Sequence, residues 1–449
     1  MSVNSRRDHL DEIRAAALGA VEPGRAVRRF LSRDGDRLRV GDHVVLLDPA
    51  RPVRLLAAGK AAVPMARAAA SILGGRLGPG IVVTKHGHFD GLPFPPGLTA
   101  IEAGHPVPDD AGLAAVAAIE ALLEGVGDQD VVLALFSGGA SALLPDPAEG
   151  LTLADLQATT GALLRSGAPI GELNAVRKHL SKLKGGQLAR RAQPAALAAL
   201  ILSDVVGDPL DVIASGPTAP DPTTFADAWA ILEQRGLLAA VPAPVRRRLH
   251  DGVEGRLPDT PGPGDPLFSR VANVLVGSNR LAAEAAVSAA ERLGYRTLLL
   301  STFVEGEARE VAKVAAALAR EILASGHPAA PPACLVLGGE TTVTVKGAGR
   351  GGRNQELALA AALLLEGIDG VSILALATDG TDGPTDSAGG VIDGGTAAAI
   401  RAAGIDPAAA LADNDSYPAL DSCGALLRTG PTGTNVNDLL VLLVGDPNS

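Results

Sequence analysis

From Val53 onward, short apolar runs alternate with longer stretches rich in Ala and Leu. That alternation limits the chain more than any other feature, because it builds parallel sheets covered by helices. The expected fold class is α/β. Strands are predicted at 53–59, 80–85, 98–104, 131–139 and 196–204, and again at 271–277, 295–302, 333–340, 372–380 and 438–445. The first five runs each end in Gly, Ser, Asp or Lys, and open α/β sheets bind ligands beyond the carboxyl ends of their strands. Between the two series lies DGVEGRLPDTPGPGDP (251–266), a Pro- and Gly-rich stretch of linker composition. A chain of 449 residues exceeds the ~250–300 that one core supports. The expected domains are therefore 1–255 and 267–449. Thr and Val alternate in TTVTVKG (341–347), which predicts a half-solvated antiparallel strand turning back on 333–340 as a hairpin.

Composition removes several functions. Asp and Glu number 50 against 39 Lys and Arg, and the net charge of -11 disfavours nucleic acid and anionic membranes as partners. Seven Phe, two Tyr and one Trp are too few for base-stacking platforms or an interfacial belt. Two cysteines, Cys334 and Cys423, support neither a disulfide framework nor a multi-Cys zinc site. Charged residues occupy the place of a secretory apolar region, and no apolar run reaches the ~18 residues that span a bilayer, so a cytoplasmic setting is expected.

Several segments carry candidate chemistry. Gly59 and Lys60 follow a strand and open a helix, where amide groups and a lysine charge would face an anion. Ser137, Gly138, Gly139 and Ser141 close the next central strand as a small-residue nest with two hydroxyls, though a tight turn explains them equally. Asp204 and Asp208 lie in a long loop after 196–204, and Asp379 in TDGTDG ends a strand of the second series. These carboxylates suit Mg2+ or a substrate hydroxyl, with Asx turns as the alternative. One acidic strand end per domain predicts a cleft. The stretch GAGRGGRNQE (347–356) holds a formal G-x-G-x-x-G, but the Thr-rich run before it is no Rossmann first strand, so anion capture with Arg353 as a bidentate fork is preferred to dinucleotide binding. A further segment, 174–184, places Arg177, Lys178, His179, Lys182 and Lys184 together. Positions 178 and 182 share a helix face, giving a solvated stripe or the basic wall of an anion site. His86, His88 and His105 with Glu102 have spacings common by chance, and loop hydrogen bonding is expected there.

AAGKAAVPMA, VVTKHGH, AGHPVPDDAG, FSGGASALLPDPAEGLTL, LNAVRKHLSKLKGGQLA, LSDVVGDPLDVIASGPTAPDPTT, GGETTVTVKGAGRGGRNQELALA and ATDGTDGPTDSAGG occur in this order. Together they resemble the class II glycerate kinases from about residue 10 onward, with a MOFRL-like region over about 330–445. The resemblance implies a Rossmann-like N-terminal domain, a smaller C-terminal α/β domain and an active site in the cleft between them. It implies ATP- and Mg2+-dependent phosphorylation of D-glycerate to 2-phosphoglycerate. Lys60 in GKAA and Arg353 in GGRNQE match basic residues expected to be essential; Asp204 in SDV follows less directly. On this view the 137–141 turn cradles ATP phosphates, Lys60 meets the transferring group and Arg353 holds charge on glycerate or the γ-phosphate. Asp204 orients or deprotonates the C2 hydroxyl, with Asp379 as competitor or metal ligand beside Asp204 and Asp208. An NAD(P)H-dependent hydroxypyruvate reductase and a non-catalytic small-molecule binding protein are the alternatives. Residues alone leave C2 against C3 phosphorylation open, and a homo-oligomer is compatible with the sequence.

Overall fold

The two series of apolar runs form two separate six-stranded sheets. The computed structural model describes residues 3–447. One unit comprises Pro23–Ser203 and Asp208–Val276; the other gathers the residues before Pro23, Asp204–Gly207 and the residues from Gly277 on.

In the first unit the strands lie side by side as Leu98–Ala103, Leu77–Lys85, Val53–Ala58, Val131–Phe136, Ala196–Leu202 and Val271–Gly277. Counted in chain order within the sheet this is 3-2-1-4-5-6, and the registers joining the first five are all parallel. That is the doubly wound Rossmann order, in which strand order reverses between strands 1 and 4. Val131–Phe136 is buried at every position, as a central strand covered on both faces must be. Beside the sheet, helices Leu153–Arg165, Ile170–His179, Phe225–Gln234 and Ala243–Val253 share a core of their own around Leu163, Leu173, Val176, Phe225 and Leu249. A small antiparallel sheet, Leu31–Asp34, Arg37–Val40 and His43–Leu46, precedes the first parallel strand and is absent from the sequence expectation.

The second sheet runs Arg296–Glu307, Ala333–Thr342, Asp438–Val444, Val371–Ala377, Gly389–Asp393 and Leu426–Leu427. Only its first pair is parallel; the other registers are antiparallel. Its central strands are nonetheless buried throughout. Helices Ala308–Ser325 and Arg353–Leu364 pack on alternate residues such as Leu335, Ile373 and Leu442, while Val3–Ala20 and Asn279–Arg292 pack on each other and on the sheet. Sequence expectation took this unit for a second α/β layer built like the first, because apolar runs covered by helices look alike whichever way they point.

The structure differs from the sequence expectation at four places. The unit boundary falls at Val276–Gly277, and the first 22 residues belong with the C-terminal unit rather than with 1–255. The strand at 271–277, placed by sequence in the second domain, joins the edge of the first sheet. The Pro- and Gly-rich segment is an ordered strap of the first unit: Thr260 Oγ1 donates to Asp221 (3.0 Å), Pro261 O accepts from Asp221 N (2.8 Å) and Asp259 accepts from Phe225 N (2.8 Å). There is also no hairpin at 341–347, since the strand simply ends at Thr342. The alternation is real only over Glu340–Thr342, where the strand runs on beside Glu305–Glu307.

Asp221 anchors this strap and also pairs with Lys178 (3.2 Å), both side chains being buried. Asp221→Ala removes one partner of a buried ion pair and should destabilise the unit by about 3–5 kcal/mol. Urea denaturation followed by circular dichroism would show a lowered midpoint; an unchanged midpoint contradicts the anchoring role.

Candidate functional site

The reversal of strand order brings the carboxyl ends of Val53–Ala58 and Val131–Phe136 together, the place where doubly wound sheets bind ligands. Gly59 and Lys60 leave the first strand, Ser137, Gly138 and Gly139 the second. Ser137 N donates to Ala58 O (3.1 Å), Lys60 N to Gly138 O (3.0 Å) and Ala61 N to Ser137 Oγ (3.0 Å). Gly59 has φ +131°, and a Cβ there would sit 2.1 Å from Ser137 Oγ, so only glycine permits this approach. Helix Ala62–Leu73 begins two residues beyond Lys60.

Ser137 is buried with its hydroxyl engaged by Ala61, so it ties the two turns together, whereas Ser141 faces other groups. Ser141 Oγ lies 2.9 Å from Ser215 Oγ and accepts from Arg177 Nη2 at 2.8 Å. Ser215 in turn donates to Asn174 Oδ1 (3.1 Å) from a backbone of φ +60°, a costly conformation for a residue with a side chain. A Cβ on Gly139 would fall 3.0 Å from the His105 ring and 3.5 Å from Lys60 Cγ. Burial, then the charges of Lys60 and Lys85, hold the His105 imidazole below its ordinary pKa.

The basic stretch 174–184 is largely interior, not a solvated stripe. The helix ends at His179, so positions 178 and 182 do not share its face. Lys178 pairs with Asp211 and Asp221; Lys184 pairs with Asp146, which also accepts from Ser181 and Leu183. Lys182, itself partly exposed, reaches Glu120 (3.6 Å). Of the other histidines, His86 Nε2 meets Asp109 at 2.7 Å, and Glu102 accepts the amide of Phe89.

In the C-terminal unit Arg353 is the first residue of helix Arg353–Leu364. Its guanidinium grips Asp438 through Nε (2.6 Å) and Nη2 (3.0 Å), and Nη1 meets Glu340 (3.0 Å). The fork expected to be open to substrate is thus held by two carboxylates. Burial, then the charges of Asp438, Asp204 and Asp379, push Glu340 above its ordinary pKa, with Arg353 opposing. Asp382 caps the same helix, accepting from Asn354 N (3.1 Å) and Gln355 N (2.8 Å), and burial raises it to about 6. Asp379 accepts from Thr381 N (2.9 Å) in a turn of its own.

In the glycine-rich run, the amides from Lys346 to Arg350 already have protein acceptors. Asn414 Oδ1 accepts from Lys346 and Gly347, Asp413 from Ala348 and Asp415 from Arg350, so acidic and amide side chains already occupy these backbone donors. Cβ atoms on Gly351 and Gly352 would lie 2.2 Å from Ser416 Oγ and 2.3 Å from Asp382. These glycines serve close packing.

Among the described residues no group of three His, Cys, Asp or Glu side chains is arranged to hold a metal. Asp204 and Asp379 belong to the acidic surroundings of Glu340, whereas Asp208 belongs to the other unit. The surplus of carboxylates suits a hard cation that keeps oxygen ligands from phosphate, since Mg2+ usually takes only one or two protein carboxylates. Sequence reasoning missed Glu340, Asp438, Asp382 and Ser215, and named Arg177 only as one member of the basic stretch 174–184. Glu340 was signalled by its place at a strand end in GGE, and Arg177 by a lone arginine beside buried lysines; Asp438 had no local signal.

A family model described as a domain of unknown function, DUF4147, matches residues 9–250, and the MOFRL family matches 333–438. D-glycerate 2-kinase of Thermotoga maritima is 45% identical over 433 residues, 96% of this chain and 97% of that protein. The chain belongs to the class II glycerate kinase family. The crystal structure of a glycerate kinase from Thermotoga maritima superposes with TM-score 0.88 at 43% identity, covering 98% of this chain and all of that one. A family relative from Agrobacterium vitis, 45% identical over 87% of both chains, carries a provisional hydroxypyruvate reductase name.

The raised Asp382 value gives a pH prediction. Its folded-state pKa of about 6 exceeds the ordinary 3.8. The stability it contributes is complete below the ordinary value and is lost as pH rises through the folded one. Asp382→Asn should therefore gain stability relative to wild type between pH 5 and 7; thermal melts of both proteins across that window check the sign.

Proposed function

We propose that the protein is an ATP- and Mg2+-dependent kinase that phosphorylates D-glycerate to 2-phosphoglycerate. The observation that carries this reading is Lys60 beside Gly138 and Gly139 at the reversal of a 3-2-1-4-5-6 sheet, in a chain of this family. Phosphoryl transfer demands positioning and neutralisation of charge more than covalent help. A protein of net charge -11 must supply that locally.

Lys60 places an ammonium group on the transferring phosphoryl, and the 138–141 turn lets phosphate oxygens approach the main chain with Ser141 as donor. Arg353 carries charge toward the reacting groups once it exchanges one of its carboxylate partners, Glu340 being the one held through a single nitrogen. Asp204 orients the C2 hydroxyl or accepts its proton. Asp379 would hold Mg2+, with Asp208 or, in place of its role at the hydroxyl, Asp204 as further ligands, and the bound ion would neutralise phosphate charge. The reductase alternative lacks support from Gly347 and Gly349, whose amides already have protein acceptors, and from the first strand-to-helix turn, which is Gly-Lys-Ala-Ala instead of a dinucleotide fingerprint.

Phosphorus NMR of the product from D-glycerate and ATP tests the assignment. A 2-phosphate signal supports it, and a 3-phosphate signal, or NADH oxidation with hydroxypyruvate in place of ATP use, overturns it. Arg353→Ala should cut turnover by about 10³ or more if the guanidinium stabilises the transition state. Asp204→Asn should cost about 10²–10⁴ in kcat as a general base; a loss confined to Mg2+ affinity makes it a ligand instead.

A further inference from the structure

Behind Ser141 the first unit contains a cavity of about 520 Å3. Helices Leu153–Arg165 and Ile170–His179 wall it with Leu156, Leu164, Ile170 and Leu173, and Ser141 and Arg177 stand at one end with Gly139 and His105. We propose that this cavity is the nucleobase site, with the purine of the phosphoryl donor between the two helices and its phosphates leaving past Ser141 and Arg177 toward Gly139. The proposal rests on the kinase reading and extends it to the donor's binding mode.

Size and wall chemistry choose between the two substrates. The volume lies in the range of pockets that take drug-sized ligands, about 300–1,000 Å3. Glycerate, oxygenated at every carbon, has no apolar face to match four aliphatic side chains; a purine has two. The mouth points the same way. Val107, Leu164 and Ile170 are 67%, 62% and 62% exposed, and all three line this one cavity. Exposed aliphatic groups gathered at one opening mark a surface that something covers.

The polar end supplies charge complementarity. Lys178 and Lys184 are each paired with buried carboxylates, whereas none of the described ion pairs involves Arg177. Its described side-chain hydrogen bond goes to a neutral hydroxyl, Ser141 Oγ, which leaves most of its five N–H donors for an anion. Gly161 adds a further mark. Glycine inside a helix costs about 1 kcal/mol relative to alanine. A Cβ there would meet only the tip of the Arg165 side chain, at 3.1 Å. Packing therefore does not demand glycine, and Gly161 lines the cavity, where a side chain would take up space.

Gly161→Met tests this, because it fills the cavity while improving helix propensity. Its KM for ATP should rise about tenfold or more, with KM for D-glycerate held within about twofold, the scale of a steric misfit in an apolar pocket. Leu164→Glu, at an exposed position, should produce the same ATP-specific loss without burdening the fold. Adenosine, which carries no phosphate, should raise the melting temperature of wild type and not of Gly161→Met. An unchanged KM for ATP in both variants, or a rise that falls on glycerate, overturns the proposal. Wild-type protein that consumes no ATP with glycerate refutes the kinase reading instead; the adenosine melts then decide the cavity separately.

Discussion

The contact between the turns that leave Val53–Ala58 and Val131–Phe136 organises the first unit's chemistry. Three hydrogen bonds join the turns, and the absence of a side chain at Gly59 lets them close. Because Ser137 is spent on this junction, the surfaces left for ligand are the Lys60 side chain, the glycine backbone at 138 and 139, and the hydroxyl of Ser141. Parallel strands on either side enforce the arrangement. A reversal of strand order leaves a crevice that no crossing helix fills, and the junction sets its floor.

The C-terminal unit solves a different electrostatic problem. Arg353 stands at a helix start, where the macrodipole is unfavourable to a cation. Asp438 and Glu340 hold it there, and Asp382 supplies the negative charge that the helix end prefers. The result is an arginine clamped in one orientation among more carboxylates than it can neutralise. The two-point grip on Asp438 fixes the guanidinium plane, and the contact to Glu340 rests on one nitrogen alone.

Much of the first sheet was legible because its strands are short, apolar and closed by glycine or a polar residue, as at Gly59 and Ser137. Direction was not legible in the second sheet. Asp438–Val444 and Val371–Ala377 are as apolar as any parallel strand because helices pack on their sheet, and that burial carries no sign of their antiparallel pairing. The strap at 259–265 has linker composition, yet hydrogen bonds to Asp221 and from Asp221 and Phe225 fix it, and those partners are distant in sequence. Among the candidate residues, Lys60, Ser141 and Arg353 stood out by residue type at element junctions. Asp438 and Arg177 gain meaning only from what surrounds them, the first as a buried counter-charge and the second as a partly buried cation whose described hydrogen bond goes to a neutral hydroxyl.

The position of Asp438–Val444 between Ala333–Thr342 and Val371–Ala377 has a consequence for biosynthesis. A ribosome delivers this central strand after both of its neighbours, so the nascent sheet waits with two unpaired inner edges, the kind of exposed template that invites mispairing with other chains. The helix Val3–Ala20 waits longer still, separated from its partners by the whole first unit. Translation that stalls shortly before residue 438 would release a protein with a finished Rossmann sheet and an aggregation-prone remainder.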